Sequence, residues 1–191
     1  MGDIERDNNW PKFRPIIFHD IEVDIDESVQ RKLAKRSYNL WKFQYITLVA
    51  NLLAVCAMAV ANIGGKIGII IAIVFLVFYP MFDFVGRHLR LYHGLRNDNV
   101  TSLRLFFLAQ SIDILFEIFI IIGVFLGGGG GLIGMSECFK KSKYCAGTLS
   151  AICVFLVSIL LAYKIKLSYD VKRFMNNRGW NVLPGGGAKN G

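Results

Sequence analysis

The chain has 191 residues, of which 54% are hydrophobic, and it carries a formal net charge of +8 with a mean hydropathy of +0.45. A soluble domain of this size has about 45–50% apolar residues, whereas here the apolar residues form four blocks, three of them almost free of charge. The positive charge lies beside these blocks, which favours anionic lipid over nucleic acid as its partner.

Residues 1–27 are predicted to be an extended cytosolic tail. Pro11 and Pro15 disfavour a helix, and the acidic run at residues 20–27 follows no apolar stretch typical of a signal peptide. Trp10 and Phe13 begin a set of apolar side chains in this tail. Two interpretations stay open: the tail packs on the membrane surface or the bundle, or it is a disordered segment with incidental aromatics.

A membrane domain is predicted over residues 28–163. A helix begins near Asp26 and carries a basic stretch into the first span. Each span needs about 20 mostly apolar residues, and we predict spans at residues 43–63, 67–82, 105–126 and 145–163. The glycine run 127–131 ends the third span, because glycine is a poor helix former. The fold class is therefore an all-α bundle of four transmembrane helices.

The topology follows from the Lys and Arg residues that flank the spans: fourteen lie on one side and four on the other. The positive-inside rule places both termini and the loop of residues 83–104 in the cytosol. Residues 127–144 then form a lumenal loop, whose glycine run 127–131 we expect to be a flexible connector, and residues 164–191 form a basic cytosolic tail. Asn99-Val100-Thr101 is a glycosylation sequon that we predict to be unmodified in the cytosol.

The cytosolic loop is predicted to be an amphipathic helix at the membrane surface, anchored by Leu89, Tyr92 and Leu95. Arginine near a membrane contributes about 1 kcal/mol of attraction to anionic lipid, and its guanidinium matches phosphate, as in phosphoinositide headgroups. The candidate lipid-binding residues are Arg87, Arg90, Tyr92, His93, Arg96 and Arg104. An ordinary basic loop without lipid selectivity remains the alternative.

The third span carries a polar face, since Gln110, Asp113 and Glu117 recur at helical spacing. A charge at the middle of a membrane costs roughly 2.5–3.5 kcal/mol. The acids form either a proton or cation pathway of a small channel, or a structural cluster bonded to Asn51 or Gln44. We expect no Lys or Arg inside the membrane to pair with them. No histidine or cysteine joins them, so an enzyme is not predicted.

Cys138 and Cys145 flank the lysine-rich part of the predicted lumenal loop. That compartment permits disulfides, but spacing alone does not establish the geometry. A disulfide and two free thiols therefore both stay open. Cys56 and Cys153 are predicted to pack inside the spans. The sequence predicts no metal site and no cofactor.

Several short motifs resemble one known family. Residues 91–99, Leu-Tyr-His-Gly-Leu-Arg-Asn-Asp-Asn, resemble the cytosolic loop peptide of secretory carrier-associated membrane proteins. In chain order, further similar motifs are Asn9-Trp10-Pro11, Phe18-His19-Asp20-Ile21, Leu40-Trp41 and Asn51-Leu52. The resemblance covers about residues 9–175. It implies a four-span protein of Golgi and endosomal recycling vesicles and the plasma membrane, which acts in exocytosis and endocytosis partly through phosphoinositides.

This chain departs from the family pattern in two places. Gly86-Arg87-His88-Leu89-Arg90 stands where the family's loop peptide has cysteine, tryptophan, tyrosine, arginine and proline. We therefore expect lipid binding to depend more on charge. The chain also has no Asn-Pro-Phe repeats, so the partnership of larger members with endocytic adaptors is not implied. The protein partners are not predicted, and a homo-oligomer is left open.

Overall fold

The computed structural model describes residues 20–64, 66–123 and 129–181. All regular elements in these ranges are helices, which confirms the all-α class. The predictions for residues 1–19, including the motifs at Asn9-Trp10-Pro11 and Phe18-His19, lie outside the described residues. The helices are α1 (Ile21–Asp24), α2 (Ser28–Val60), α3 (Lys66–Asp83), a π turn (Phe84–His88), α4 (Leu89–Arg96), α5 (Val100–Ile122), α6 (Leu132–Lys140) and α7 (Tyr144–Asn177).

Four helical segments in the described ranges are long and apolar enough to cross a membrane: Ser28–Val60, Lys66–Arg96, Val100–Ile122 and Tyr144–Asn177. The predicted four-span bundle is thereby confirmed. The first and last contain 33 and 34 residues, or about 50 Å at 1.5 Å per residue. A bilayer core is only about 30 Å thick, so these helices continue past it. We call the end formed by residues 28–42, 84–104 and 164–181 the basic end, and the opposite end the far end.

The predicted surface helix of the cytosolic loop is instead the continuation of the second span. α3, the π turn and α4 form one uninterrupted helical segment from Lys66 to Arg96. Leu91, Tyr92 and Leu95 are each at most 1% exposed. The segment is amphipathic, as expected, but its apolar face packs on other helices of the bundle rather than on lipid. The prediction that Tyr92 and Leu95 anchor in the membrane surface is therefore wrong.

The basic end has a hydrophobic core of its own. Its buried members come from α2, α4, α5 and α7, and include Leu33, Leu40, Leu91, Leu95, Leu103, Phe106, Leu167, Val171, Phe174 and Met175. Burying an aliphatic or aromatic side chain of this size contributes about 1.5–3 kcal/mol. The four helices therefore stay packed together beyond the apolar part of the bundle.

Residues 20–27, which we predicted to be part of an extended tail, pack on the basic end. Asp20 caps the short helix α1 by accepting the backbone N–H of Glu22 at 3.0 Å. Ile25 is 1% exposed and belongs to the core, and its carbonyl accepts a hydrogen bond of 2.8 Å from Arg31 Nε. Asp24 accepts a hydrogen bond from the Tyr92 hydroxyl and lies 3.5 Å from Arg96. This acidic segment thus neutralises part of the positive charge of the basic end, including that of Arg96.

The third span is broken near the far end. α5 ends at Ile122, where Gly123 adopts a φ of +88°. Gly130 is buried and donates its backbone N–H to Asn51 Oδ1 at 2.9 Å. α6 then packs mainly on α7 and also reaches the end of α2, where Cys138 shares a buried cluster with Met58, Ile63 and Ala146. The described part of the predicted flexible connector, residues 129–131, is therefore packed inside the bundle, and α6 completes the span that α5 begins.

We predict that Gly131→Ala destabilises the bundle by about 1–3 kcal/mol, the usual effect of forcing an extra group into a packed site. A Cβ at Gly131 would lie 2.5 Å from the backbone nitrogen of Gly123 and from the carbonyl oxygen of Ile121. Gly86→Ala is the matched control, because the nearest atom to its new Cβ is 3.9 Å away. Thermal unfolding in lipid vesicles measures both variants, and equal unfolding temperatures would contradict the packed break.

Candidate functional site

The most unusual feature of the bundle is a set of five charged side chains buried between its helices. Each of these residues is at most 6% exposed: Asp83, Arg87, Asp113, Glu117 and Lys164. They come from α3, the π turn, α5 and α7. Charged residues are almost never buried to this degree unless they are paired. We call this set the buried charge network.

Lys164 lies at the centre of the network. Its Nζ is 2.5 Å from Asp113 Oδ2, pairs with Glu117 Oε1, and donates to Gln44 Oε1 at 2.6 Å. Our expectation that no Lys or Arg inside the membrane pairs with the acids is therefore wrong. We had assigned Lys164 to the cytosolic tail because the apolar run ends at Tyr163. Helix α7 continues without interruption to Asn177, so Lys164 is a helical residue that faces inward.

Arg87 forms the second half of the network. Its Nε and Nη2 donate to the two oxygens of Asp83 at 2.5 and 2.8 Å, in a bidentate pair one helical turn apart. Nη1 donates to Ser37 Oγ at 3.3 Å, and Nε lies 3.5 Å from Asp113 Oδ2. Because Arg87 is 1% exposed, the prediction that it contacts lipid headgroups is wrong. The i,i+4 spacing of Asp83 and Arg87 was the available sequence signal for this pair.

Two aromatic side chains, Tyr79 and His88, connect the network to its surroundings. The Tyr79 hydroxyl donates to Asp113 Oδ1, and His88 Nδ1 lies 3.1 Å from the same Ser37 hydroxyl that Arg87 contacts. The aromatic ring of Tyr79 also stacks on Phe116, with 3.8 Å between the ring centroids. The carboxylate of Asp113 is thus contacted by side chains of three elements: Tyr79 of α3, Arg87 of the π turn and Lys164 of α7.

The polar face of α5 points into the bundle. Gln110, Asp113 and Glu117 are all buried on one side of the helix. Asn51 does not join them, since its Oδ1 accepts from Gly130 and from Cys153 Sγ, 3.8 Å away. Gln44, one of the two partners we considered, is the residue of α2 that reaches the network.

The network lies toward the basic end of the membrane-facing surface rather than at its middle. Trp41 donates its ring N–H to the carbonyl of Pro80 at 2.8 Å, which places an aromatic side chain of the interfacial type beside α3. Gln44 follows Trp41 by three residues, or about 5 Å.

This geometry favours a structural role for the acids. Each of the three carboxyl groups is held by at least one cation. The pair of Asp83 and Arg87 lies within the second spanning segment, whereas the contacts of Lys164 cross from α7 to α5. Removing one partner from a buried ion pair destabilises a protein by about 3–5 kcal/mol, because the other charge is left buried and unpaired. The proton or cation pathway gains no support from this arrangement.

Of the six candidate lipid-binding residues, Arg87 and Tyr92 are buried and four reach the surface. Arg90 and His93 are exposed, while Arg96 is held 3.5 Å from Asp24. Arg104 is half-buried and donates to the carbonyl of Asn181 at 3.0 and 3.1 Å. The basic residues between positions 83 and 104 therefore fall into two groups: Arg87 is buried inside the bundle, and the others reach its surface.

Cys138 and Cys145 are both free thiols in the structure, with Cys138 buried and Cys145 exposed. Of the two alternatives for these cysteines, the structure has the unbridged one. Among the described residues, no group of His, Cys, Asp and Glu is arranged to hold a metal ion.

Comparisons with known proteins point to one family. The model of the SCAMP family matches residues 7–178. The chain is 25% identical to secretory carrier-associated membrane protein 5 of Xenopus tropicalis, in an alignment covering 93% of this chain and 78% of that protein. It is 30% identical to secretory carrier-associated membrane protein 4 of Arabidopsis thaliana, with 81% of this chain and 53% of that protein covered.

A third relative, a putative secretory carrier-associated membrane protein 1 of Oryza sativa subsp. indica, is 31% identical over 62% of this chain and 38% of its own length. The chain thus spans about two fifths to one half of these plant relatives. No solved structure matches.

We predict that Lys164→Met destabilises the bundle by about 3–5 kcal/mol, because the carboxylates of Asp113 and Glu117 lose the ammonium group between them. Lys172→Met is the control: Lys172 lies on the same helix but is exposed. The free energy of unfolding of each variant is measured in neutral lipid vesicles, where anionic lipid cannot contribute. Equal stability of the two variants would show that Lys164 is not a partner of the buried acids.

Proposed function

This chain belongs to the SCAMP family of secretory carrier-associated membrane proteins, and we propose that it acts in vesicle trafficking on secretory and endocytic recycling carriers. It is an integral multi-pass membrane protein with four spans, in accord with that family. The match to residues 7–178 supports the proposal, because it includes all four spans and the segment between the second and third.

We place the basic end in the cytosol. The support is the distribution of charge, since the positive-inside rule favours Lys and Arg on that side. Both termini then lie in the cytosol, as does the sequon at Asn99, whose side chain caps α5 by accepting the backbone N–H of Ser102 at 3.2 Å. Golgi and endosomal recycling vesicles and the plasma membrane are the proposed compartments.

The proposed action at this end is electrostatic contact with anionic lipid, including phosphoinositides. The observation that carries it is the position of Arg90 and Arg104, which reach the surface where the exposed apolar side chains of their helices end. Each arginine near a lipid surface contributes about 1 kcal/mol. His93 lies one helical turn farther out, and Arg96 is held by Asp24. We therefore base the proposal on Arg90 and Arg104.

We predict that Arg90→Gln with Arg104→Gln lowers the affinity for phosphatidylinositol bisphosphate about thirty-fold, since two contacts of about 1 kcal/mol are lost. Energy transfer from the reconstituted protein to a fluorescent analogue of this lipid, in phosphatidylcholine vesicles, measures the change. Lys140→Gln with Lys141→Gln removes the same charge at the far end and is the control.

Two results would count against the proposal. If the double variant Arg90→Gln with Arg104→Gln and the wild type gave equal energy transfer, the proposed lipid contact of these arginines would be wrong. A folded, tagged chain that is absent from isolated secretory and endocytic vesicles would remove the trafficking role.

A further inference from the structure

A cleft of about 200 Å³ lies between the second and third spanning segments. We call it the lateral cleft. α3 and the π turn form one wall and α5 forms the other, with apolar contributions from Tyr79, Phe82, Gly86, Ala109 and Ile112. Phe82 and Ile112 are 72% and 62% exposed. The lateral cleft therefore opens sideways, at the surface that these helices present to the membrane.

Two small residues are the cause of this gap. A Cβ at Gly86 would lie 3.9 Å from the Cβ of Ala109, so neither wall carries a side chain larger than a methyl group at this point. Nearer the basic end α4 packs on α5. Nearer the far end the ring of Phe116 stacks on Tyr79, with 3.8 Å between the centroids. The two segments thus meet on both sides of the lateral cleft.

The buried charge network borders the back of the lateral cleft, where Asp83, Arg87 and Asp113 are each at most 6% exposed. Both oxygens of Asp83 accept from Arg87, and the carboxylate of Asp113 is engaged by Tyr79 and Lys164. The surface that the lateral cleft presents is accordingly almost wholly apolar. An apolar cavity of about 150 Å³ stays dry and takes up a hydrocarbon. This lining therefore suits a hydrocarbon ligand rather than water or an ion.

The lateral cleft lies at the depth of acyl chains. The exposed apolar surface of the second span ends at Val85, and Arg90 is the first exposed charged residue after it. Gly86 and Tyr79 precede Arg90 by four and eleven residues in one helical segment, or about 6 and 16 Å. Half of a bilayer core is about 15 Å thick. The lateral cleft thus continues the lipid-facing surface of the bundle inward, within the leaflet next to the basic end.

Packing, rather than transfer from water, is the force available to hold a chain in such a place. Lipid tails are as apolar as the side chains of the walls, so no hydrophobic free energy is gained on entry. An unfilled concavity would instead cost its lining atoms their van der Waals contacts. A flexible chain that is already present at this depth restores those contacts.

We propose that the lateral cleft is a binding site for one acyl chain of a phospholipid from the leaflet next to the basic end. The bound chain covers Asp83 and Arg87 from the membrane side and completes the wall between α3 and α5. This inference goes beyond the proposed contact with anionic headgroups, because it concerns the hydrocarbon chain of a phospholipid of any charge.

The test uses phosphatidylcholine that carries a photoactivatable diazirine midway along one chain. The full chain is reconstituted in phosphatidylcholine vesicles, and mass spectrometry of the digested protein locates the cross-links. Ala109→Leu places a larger side chain inside the lateral cleft, and Gly86→Ala narrows it at an ordinary contact distance. Ala162→Leu is the matched control, because Ala162 is exposed on α7, outside the lateral cleft. Circular dichroism verifies the fold of each variant, and Gly86→Ala is the test if Ala109→Leu does not fold.

We expect the cross-links of the wild type to concentrate at residues 79–87 and 109–113. Ala109→Leu should lower them about five-fold, equivalent to about 1 kcal/mol, Gly86→Ala should lower them less, and Ala162→Leu should leave them unchanged.

Three results would overturn the proposal. The first is an even spread of cross-links over the exposed surface, or labelling that neither cleft variant changes. The second is stronger labelling of the same residues by a photoactivatable sterol. The third is cross-linking of two copies of the chain through these residues, which would make the lateral cleft a protein interface. The vesicles contain no anionic lipid, so none of these results depends on the proposed contact of Arg90 and Arg104.

Discussion

The ammonium group of Lys164, held between α2, α5 and α7, is the interaction on which the rest of the bundle depends. Two carboxylates of α5 and the amide oxygen of Gln44 surround it. Asp113 carries the same network to Arg87 and thereby to the second span. A desolvated charge has few acceptable arrangements, because any shift of one helix leaves it unpaired at a cost of several kcal/mol. The network therefore fixes the relative depth of all four spanning segments.

This constraint explains why basic residues that are close in the sequence have opposite roles. Arg87 and Arg90 are less than one helical turn apart, yet the first is 1% exposed and the second is exposed. The same division separates Lys164 from Lys166 on α7. The inward cations join the helices of the bundle, and the outward cations lie at its surface. A substitution that neutralises an inward residue would thus be expected to impair folding before it impairs any contact with the membrane.

The number of spans could be predicted from the sequence because four apolar blocks of adequate length have one physical explanation. The network could not be predicted so directly. Lys164 follows an apolar run and reads as the first residue of a basic tail, and only the continuous helix to Asn177 turns it inward. The broken third span was missed for a related reason, since a run of glycines normally indicates a flexible loop. Here Asn51 provides an acceptor for Gly130 inside the bundle, which the sequence does not reveal.

The central interaction of the bundle is the energetic coupling between Lys164 and the acids of α5, and a double-mutant cycle measures that coupling most directly. The cycle would combine Lys164→Met with Glu117→Gln and compare the free energies of unfolding of the four proteins in neutral lipid vesicles. We expect a coupling energy of about 1–3 kcal/mol, the upper part of the range found for residues in one ion-pair network. Additive effects of the two substitutions would contradict it, because they would show that the two side chains do not hold each other in the folded protein.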